Sequence, residues 1–356
     1  MPLLLVAYLT FSLDFRGVWI PRWSVHDGER IFTVLDGRFN HVFVQVFALG
    51  ESWYPSEIAP RRVGIDDWLT EFIAEAHRRR IKVSAWINVF YSWGLAPVTK
   101  DEKHPINSHP NWYVTDRNGR SILELTPDEL RAGIMEGYYL APAHPEAREY
   151  LCRIVEELAR RYDLDGIHFD YIRYPNNRFI WDQPLRTKFS RRYYVDPRSL
   201  WQSDSINARF GPAGYEDLES RWQASIHDDL TELVAELSRR IKAVKPAMLV
   251  SAAVKPDYRS ARDDYYQDWI SWVNQGTVDF VCLMAYGRSI QPTLNRDLEV
   301  LREPQRVIVG LAAYLLDAAA IREQVEQIRR QPFGGITIFS YEDIKKNPAY
   351  TAVLAP

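Results

Sequence analysis

A chain of 356 residues, 46% of them hydrophobic, can bury a large core. Its formal net charge of -3 gives no basic footprint, which excludes nucleic acid as an expected partner. No apolar run reaches the length of a membrane-spanning helix. The 12 Trp and 20 Tyr are more than a core needs, and such side chains outside a core stack on flat ligands, sugar rings among them.

Residues 1–15 (MPLLLVAYLTFSLDF) read as an N-terminal extension or signal remnant, without the basic flank or cleavage site of a clear secretory signal. From residue 16 to 356 the chain reads as one domain. Eight strand patterns follow one another: Arg16–Pro21, His41–Phe47, Lys82–Phe90, the stretch Leu164–Pro175 (LDGIHFDYIRYP), Leu249–Pro256, Phe280–Tyr286, Val307–Tyr314 and Gly335–Tyr341. Helix-period segments lie between them at Asp66–Arg80, Pro145–Tyr162, Arg221–Val244, Asp264–Gln275 and Ala318–Arg330. This alternation predicts an α/β fold, a (β/α)₈ TIM barrel. A doubly wound sheet is disfavoured because no Gly-rich phosphate turn follows the first strand. Long connections after the third and fourth strands (Tyr91–Tyr139 and Asn176–Glu219) are expected to wall a cleft, with a dimer interface as the competing use.

With branched apolar residues facing the helices, the interior receives Trp19, Gln45, Trp86, Asn88, His168, Asp170, Ser251, Lys255, Met284, Tyr286 and Tyr314. A barrel that only packs is filled with Val, Ile and Leu, so this set predicts a pocket at the C-terminal strand ends. Asp170 ends its strand at that mouth, followed by Tyr171, Arg173 and Tyr174. The plain alternative is an Asp–Arg pair that ties down a loop.

Glycoside hydrolysis needs two carboxyl groups flanking the bond, one ionised and one protonated. Asp170 is the expected anion, with Arg173 favouring its charge. Proton-donor candidates are Glu342 after the eighth strand and Asp257 after the fifth, with Glu51 a third acid near Trp53 and Tyr54. Glu342, among aromatic neighbours, is slightly preferred. His168, one layer below Asp170, is expected to orient that carboxylate. Trp19, Gln45, Trp86, Asn88, His168, Tyr171, Arg173, Lys255 and Tyr286 would form the substrate-binding set. Arg221-Trp222 either touches ligand or serves helix packing. Cys152 and Cys282 read as small buried hydrophobes. No Cys/His spacing suggests zinc, and the first strand lacks paired His, so neither metal nor cofactor is expected.

FRGVWI (Phe15–Ile20), the VQVF strand, AWIN (Ala85–Asn88), YLAPAHPEAREYL (Tyr139–Leu151), DGIHFDYIRYP (Asp165–Pro175), SAAVKPD and QDWISWVNQGTVDFVCLMAYG resemble the glycosyl-hydrolase-like family 10 proteins. That resemblance implies a barrel glycosidase acting on a polysaccharide, with cell-wall glycans such as peptidoglycan among the candidates. It also implies a bacterial protein outside the cytoplasm, in the envelope or secreted. The family's fourth-strand Asp falls on Asp170 and its rim Arg on Arg173. Two departures stand out: the DDY of many members is Asp170-Tyr171 here, and no lipobox Cys lies near the start. The strand also resembles the DGxDxDxE motif of family 18 chitinases, but His168 replaces the middle Asp and Ile172 the Glu. That disfavours substrate-assisted catalysis. The alternative function is a glycan-binding barrel without catalysis. Oligomeric state stays open.

Overall fold

The computed structural model describes residues 14–354, positions 36 and 202 aside. The reading of residues 1–13 as part of an extension lies outside them. Eight parallel strands close into a barrel: β1 (Phe15–Ile20), β2 (His41–Ala48), β3 (Lys82–Asn88), β4 (Gly166–Asp170), β5 (Leu249–Val254), β6 (Phe280–Met284), β7 (Val307–Ala312) and β8 (Gly335–Phe339). Closure is made by β1, which pairs with β8 through Val18↔Ile338 and with β2 through Val18↔Val42. The fold is therefore an α/β TIM-type barrel.

The side-chain period of two sorts each strand between two packings. Val18, Ile20, Val42, Val44, Val83, Ala85, Ile167 and Phe169 face outward into the large core shared with the helices. The helices meet them with their own apolar stripes, as in Pro145–Arg161, which buries Leu151, Ile154, Val155 and Leu158. Facing inward, Trp19, Phe43, Trp86, Phe280, Cys282 and Ile308 form a second, smaller cluster inside the barrel. Both cysteines are buried and free, as their apolar surroundings in the sequence suggest.

The barrel floor is aromatic. Phe15 stacks on His41 with centroids 4.7 Å apart, and Phe43 lies 4.2 Å from His168. Toward the C-terminal ends polar groups join the rings, and a cavity opens.

Between β3 and the helix Pro145–Arg161, a short strand Tyr91–Trp93 pairs antiparallel with Tyr138–Tyr139. This folds the far end of the connection back over the barrel mouth. Gly137 is required there: a Cβ would sit 2.1 Å from the Trp93 carbonyl oxygen. After β4, the helix Gln183–Tyr193 precedes a long helical element, Ser203–Val244, broken at Gly211 (φ 72°) before Pro212. Trp222 is buried and stacks on Trp181 at 5.2 Å, while Arg221 pairs with Asp217 at 2.7 Å, so Arg221-Trp222 serves helix packing. Beyond β5, the segment expected as one helix at Asp264–Gln275 is two, Tyr258–Tyr265 and Trp269–Asn274, separated by left-handed Tyr266.

Candidate active site

A cavity of about 510 Å³ occupies the C-terminal mouth. Its wall contains Trp19, Gln45, Trp86, Asn88, Asp170, Lys255, Met284, Tyr286 and Tyr314 from the strand ends. Of the residues expected inside the barrel, His168 and Ser251 are absent from this wall and sit one layer lower. Tyr171 and Arg173 join from the β4 connection, and Tyr91, Trp93 and Glu136 from the β3 connection.

Asp170 ends β4, in register with Asn88 of β3. Its Oδ2 accepts a hydrogen bond from Trp86 Nε1 at 3.0 Å, and its Oδ1 accepts one from the Tyr171 backbone N–H at 2.8 Å. Tyr171 itself is left-handed (φ 52°), which costs a non-glycine residue about 1 kcal/mol. Both bonds favour the carboxylate, as does the charge of Arg173. Burial opposes them and wins, pushing the Asp170 carboxyl up to about 6. Arg173 favours the charge as expected, and burial is the opposing influence that the sequence did not weigh.

Arg173 is committed elsewhere. It pairs with Glu136 (Nη2 to Oε1, 3.0 Å), and its guanidinium lies 5.0 Å from the ring centroids of both Tyr171 and Tyr265. Tyr139 donates its hydroxyl to the other Glu136 oxygen at 2.9 Å. Burial raises the Glu136 carboxyl, but Arg173 and Tyr139 outweigh it and hold the group below its ordinary value. Two carboxyl groups therefore share the cavity, one shifted up and one down. Such divergence marks acid and base partners in hydrolytic sites.

The expected donors are not beside Asp170. Glu342 accepts from Ser24 Oγ at 2.6 Å and Lys345 Nζ at 3.1 Å. Asp257 caps the helix Tyr258–Tyr265 and pairs with Arg296 at 2.6 Å. Glu51 lies 3.4 Å from Arg62. None of the three lines the cavity. The expectation that His168 orients Asp170 is also corrected. Its Nε2 accepts from Trp19 Nε1 at 3.2 Å, so its Nδ1 carries the proton and donates to Ser251 Oγ at 2.8 Å. Burial, then the neighbouring His41, hold its pKa well below the ordinary value and keep it neutral.

Sequence reasoning missed Glu136, Arg22 and Trp23. Arg22 follows β1 and donates to Gln45 Oε1 at 3.0 Å, and Gln45 passes a 3.2 Å bond to Asn88. A bulge in β2 between Gln45 and Phe47 helps aim this amide. Trp23, 56% exposed, stands at the rim as a flat apolar face. Among the described residues, the remainder of the β4 connection does not line this cavity. Asn177, Arg178 and Trp181 line a separate polar depression with Asp116 and Asn118. No group of three or more potential metal ligands is found among the described residues. No helix among them is long and apolar enough to cross a membrane.

The fold is similar to that of the PgaB (BpsB) glycoside hydrolase domain from Bordetella bronchiseptica, with a TM-score of 0.71 at 17% identity, covering 96% of this chain and 98% of that one. A GH18 chitinase from Cycas revoluta superposes with a TM-score of 0.54 at 12% identity, over 96% of this chain and 98% of the other. At these identities the likeness is one of fold. By sequence, the chain is 24% identical over 352 residues to glycosyl hydrolase YngK of Bacillus subtilis, covering 87% of this chain and 61% of that protein. It is also 24% identical over 306 residues to glycosyl hydrolase DigH of Escherichia coli, covering 77% and 62% respectively. The chain thus spans about three-fifths of the length of these relatives. The family model Glycosyl hydrolase-like 10 matches residues 14–320, which is most of the chain and includes every wall residue named above; the protein belongs to the Glycosyl hydrolase-like 10 family.

Proposed function

We propose that the protein is a glycoside hydrolase cleaving O-glycosidic bonds of a polysaccharide, with cell-wall glycans such as peptidoglycan as the leading candidates. The observation that carries this reading is the pairing of Asp170 and Glu136 in one aromatic-walled cavity, with opposite displacements of their acidity. In this scheme Asp170 is the proton donor. Its burial keeps a proton available at mildly acidic pH, and Trp86 and the Tyr171 N–H receive the charge once that proton has left. Glu136 is the anion, held ionised by Arg173. It either attacks the anomeric carbon or activates a water, the choice that separates retaining from inverting enzymes. Trp19, Trp86 and Tyr286 offer ring faces to the sugar.

One observation favours a second reading, a barrel that binds glycan without cutting it. Both Glu136 oxygens are engaged, one by Arg173 and one by Tyr139, which weakens an anion that must act as nucleophile or base. Product release distinguishes the two. Purified peptidoglycan and a panel of bacterial polysaccharides are incubated with wild type and with Asp170→Asn, and fragments are read by mass spectrometry. Fragments from the wild type alone establish the hydrolase and identify the bond cut. Binding without fragments from either protein transfers the assignment to the binding barrel.

A further inference from the structure

The cavity holds more positive charge than its own acids answer. Three cations line it, Arg22, Arg173 and Lys255, against two carboxyl groups, Glu136 and Asp170. Arg173 is taken by Glu136. The other two have no ion pair among the described residues. Lys255 Nζ lies 4.5 Å from the Tyr265 ring centroid and makes no hydrogen bond there. Arg22 donates to the neutral Gln45 amide and lies 5.0 Å from the Trp23 ring centroid. Both are partly buried, and burial lowers the pKa of both. Glu136 and Asp170 favour the charge of Lys255, and Glu51 that of Arg22, but none of them makes a direct ion pair, so each half-desolvated cation keeps the capacity to bind an anion.

Their placement is also specific. Arg22 follows β1 and Lys255 follows β5, and in the closed ring of strands these two stand on opposite walls. Asp170 and Glu136 lie between them around the ring, on β4 and on the β3 connection. A sugar chain laid across the mouth past Asp170 would carry its substituents toward one cation or the other.

We propose that the glycan taken by this cavity is acidic, its sugars bearing carboxylates, and that Lys255 reads such a carboxylate with Arg22 serving the opposite wall. The inference rests on the reading of the cavity as a glycan site and adds the charge of its ligand. Lys255 is then a specificity-determining residue. A plain electrostatic influence of Lys255 on Asp170 is the competing role, and it predicts a different result.

The test uses matched pairs of polymers. One pair is peptide-free peptidoglycan strands, whose muramic acid carries a lactyl carboxylate, and the same strands after carbodiimide-mediated reduction of that group to the alcohol. The other is hyaluronan, with its uronic carboxylate, and its carboxyl-reduced form. For wild type, Lys255→Gln and Lys255→Arg, kcat/KM is measured on each polymer, and affinity by calorimetry in the Asp170→Asn background. The wild type should prefer one acidic polymer over its reduced partner by roughly 10- to 100-fold, the size of a charge-assisted hydrogen bond. Lys255→Gln should bring that ratio close to one, and Lys255→Arg should keep most of it. Which pair shows the preference tells a lactyl from a uronic carboxylate. Equal handling of acidic and reduced polymers overturns the inference while leaving the hydrolase standing. So does a Lys255→Gln variant whose pH profile moves but whose ratio does not. Acid-selective binding without turnover upholds the inference and removes the hydrolase. Neither binding nor turnover of any of the four polymers overturns both.

Discussion

His168 and Asp170 lie on one strand, two residues apart, both facing into the barrel and both buried. Burial suppresses the charge of each, yet it leaves them in different conditions. His168 is closed in by Trp19, Ser251 and Phe43, and its ring is fixed as a neutral tautomer. Asp170 meets the cavity, and two donors partly offset its desolvation, so its proton is held near mild acidity. One layer of the barrel, about 7 Å along a strand, separates a packing histidine from a group able to exchange a proton with a ligand. Depth in the barrel assigns the role more than the identity of the residue does.

The largest expected effect comes from removing the exchangeable proton. Asp170→Asn should lower kcat by roughly 10²- to 10⁴-fold, the usual contribution of a general acid, with circular dichroism unchanged. A variant that retains wild-type kcat would remove Asp170 from the mechanism and reduce the two layers to equivalents. Next is Glu136→Gln, which affects both function and stability. Loss of the anion should lower kcat by at least about 100-fold. It also leaves Arg173, whose side chain is 4% exposed, without its counter-charge. Because the Glu136 side chain is 42% exposed, the stability loss should be about 1–3 kcal/mol, below that of a fully buried pair, as measured by urea denaturation.

The two layers should also respond oppositely to pH. Asp170 has its carboxyl raised to about 6 in the fold, so between about 4 and 6 the native state holds more protons than the unfolded chain. Its contribution to stability therefore falls as pH rises through that window. His168 and His41 are depressed, His41 to about 3, with burial the main cause in both. They bind fewer protons when folded, so their contribution falls as pH drops below about 6.5. Denaturation midpoints of Asp170→Asn relative to wild type should therefore improve from pH 4 to 7, and those of His168→Asn relative to wild type should improve from pH 7 to 4. Parallel pH profiles for the two variants would break the comparison.

Much of this arrangement is legible in the sequence. The alternation in RGVWI and HVFVQVF separates the helix-facing residues from the barrel interior, and the strand-end position of Asp170 follows from Pro175 halting the pattern. Spacing along the chain carries no distance across the mouth, which is why Glu342 and Asp257 read as partners although each is occupied by its own local helix. Glu136 was hidden for a related reason. It lies inside a long connection, and only the pairing of Tyr138–Tyr139 with Tyr91–Trp93 folds it over the cavity. The signal available was Glu136-Gly137 directly before the YYLAP run, a glycine at a close backbone approach beside an acid. Its attraction for Arg173 could not be read either, because Arg173 had a nearer acid in sequence.

The smallest expected effect concerns the bond that distinguishes Asp170 from an ordinary buried acid. Trp86 Nε1–H donates to Oδ2 and so favours the ionised form, while the ring packs against Phe339 with centroids 6.2 Å apart. Trp86→Phe removes the donor and keeps most of the ring. Without that bond the Asp170 carboxyl should rise further, because desolvation is opposed by one donor fewer. If Asp170 is the proton donor, the basic limb of the kcat/KM profile should move to higher pH. The maximum rate should also fall several-fold, since the departing proton leaves a carboxylate that Trp86 no longer stabilises. If Asp170 were instead the anion, the acid limb would shift in its place, and the roles of Asp170 and Glu136 would be exchanged. A profile unmoved on either limb would show that the Tyr171 N–H alone governs the carboxylate, and the comparison with His168 would then rest on exposure to the cavity rather than on hydrogen bonding.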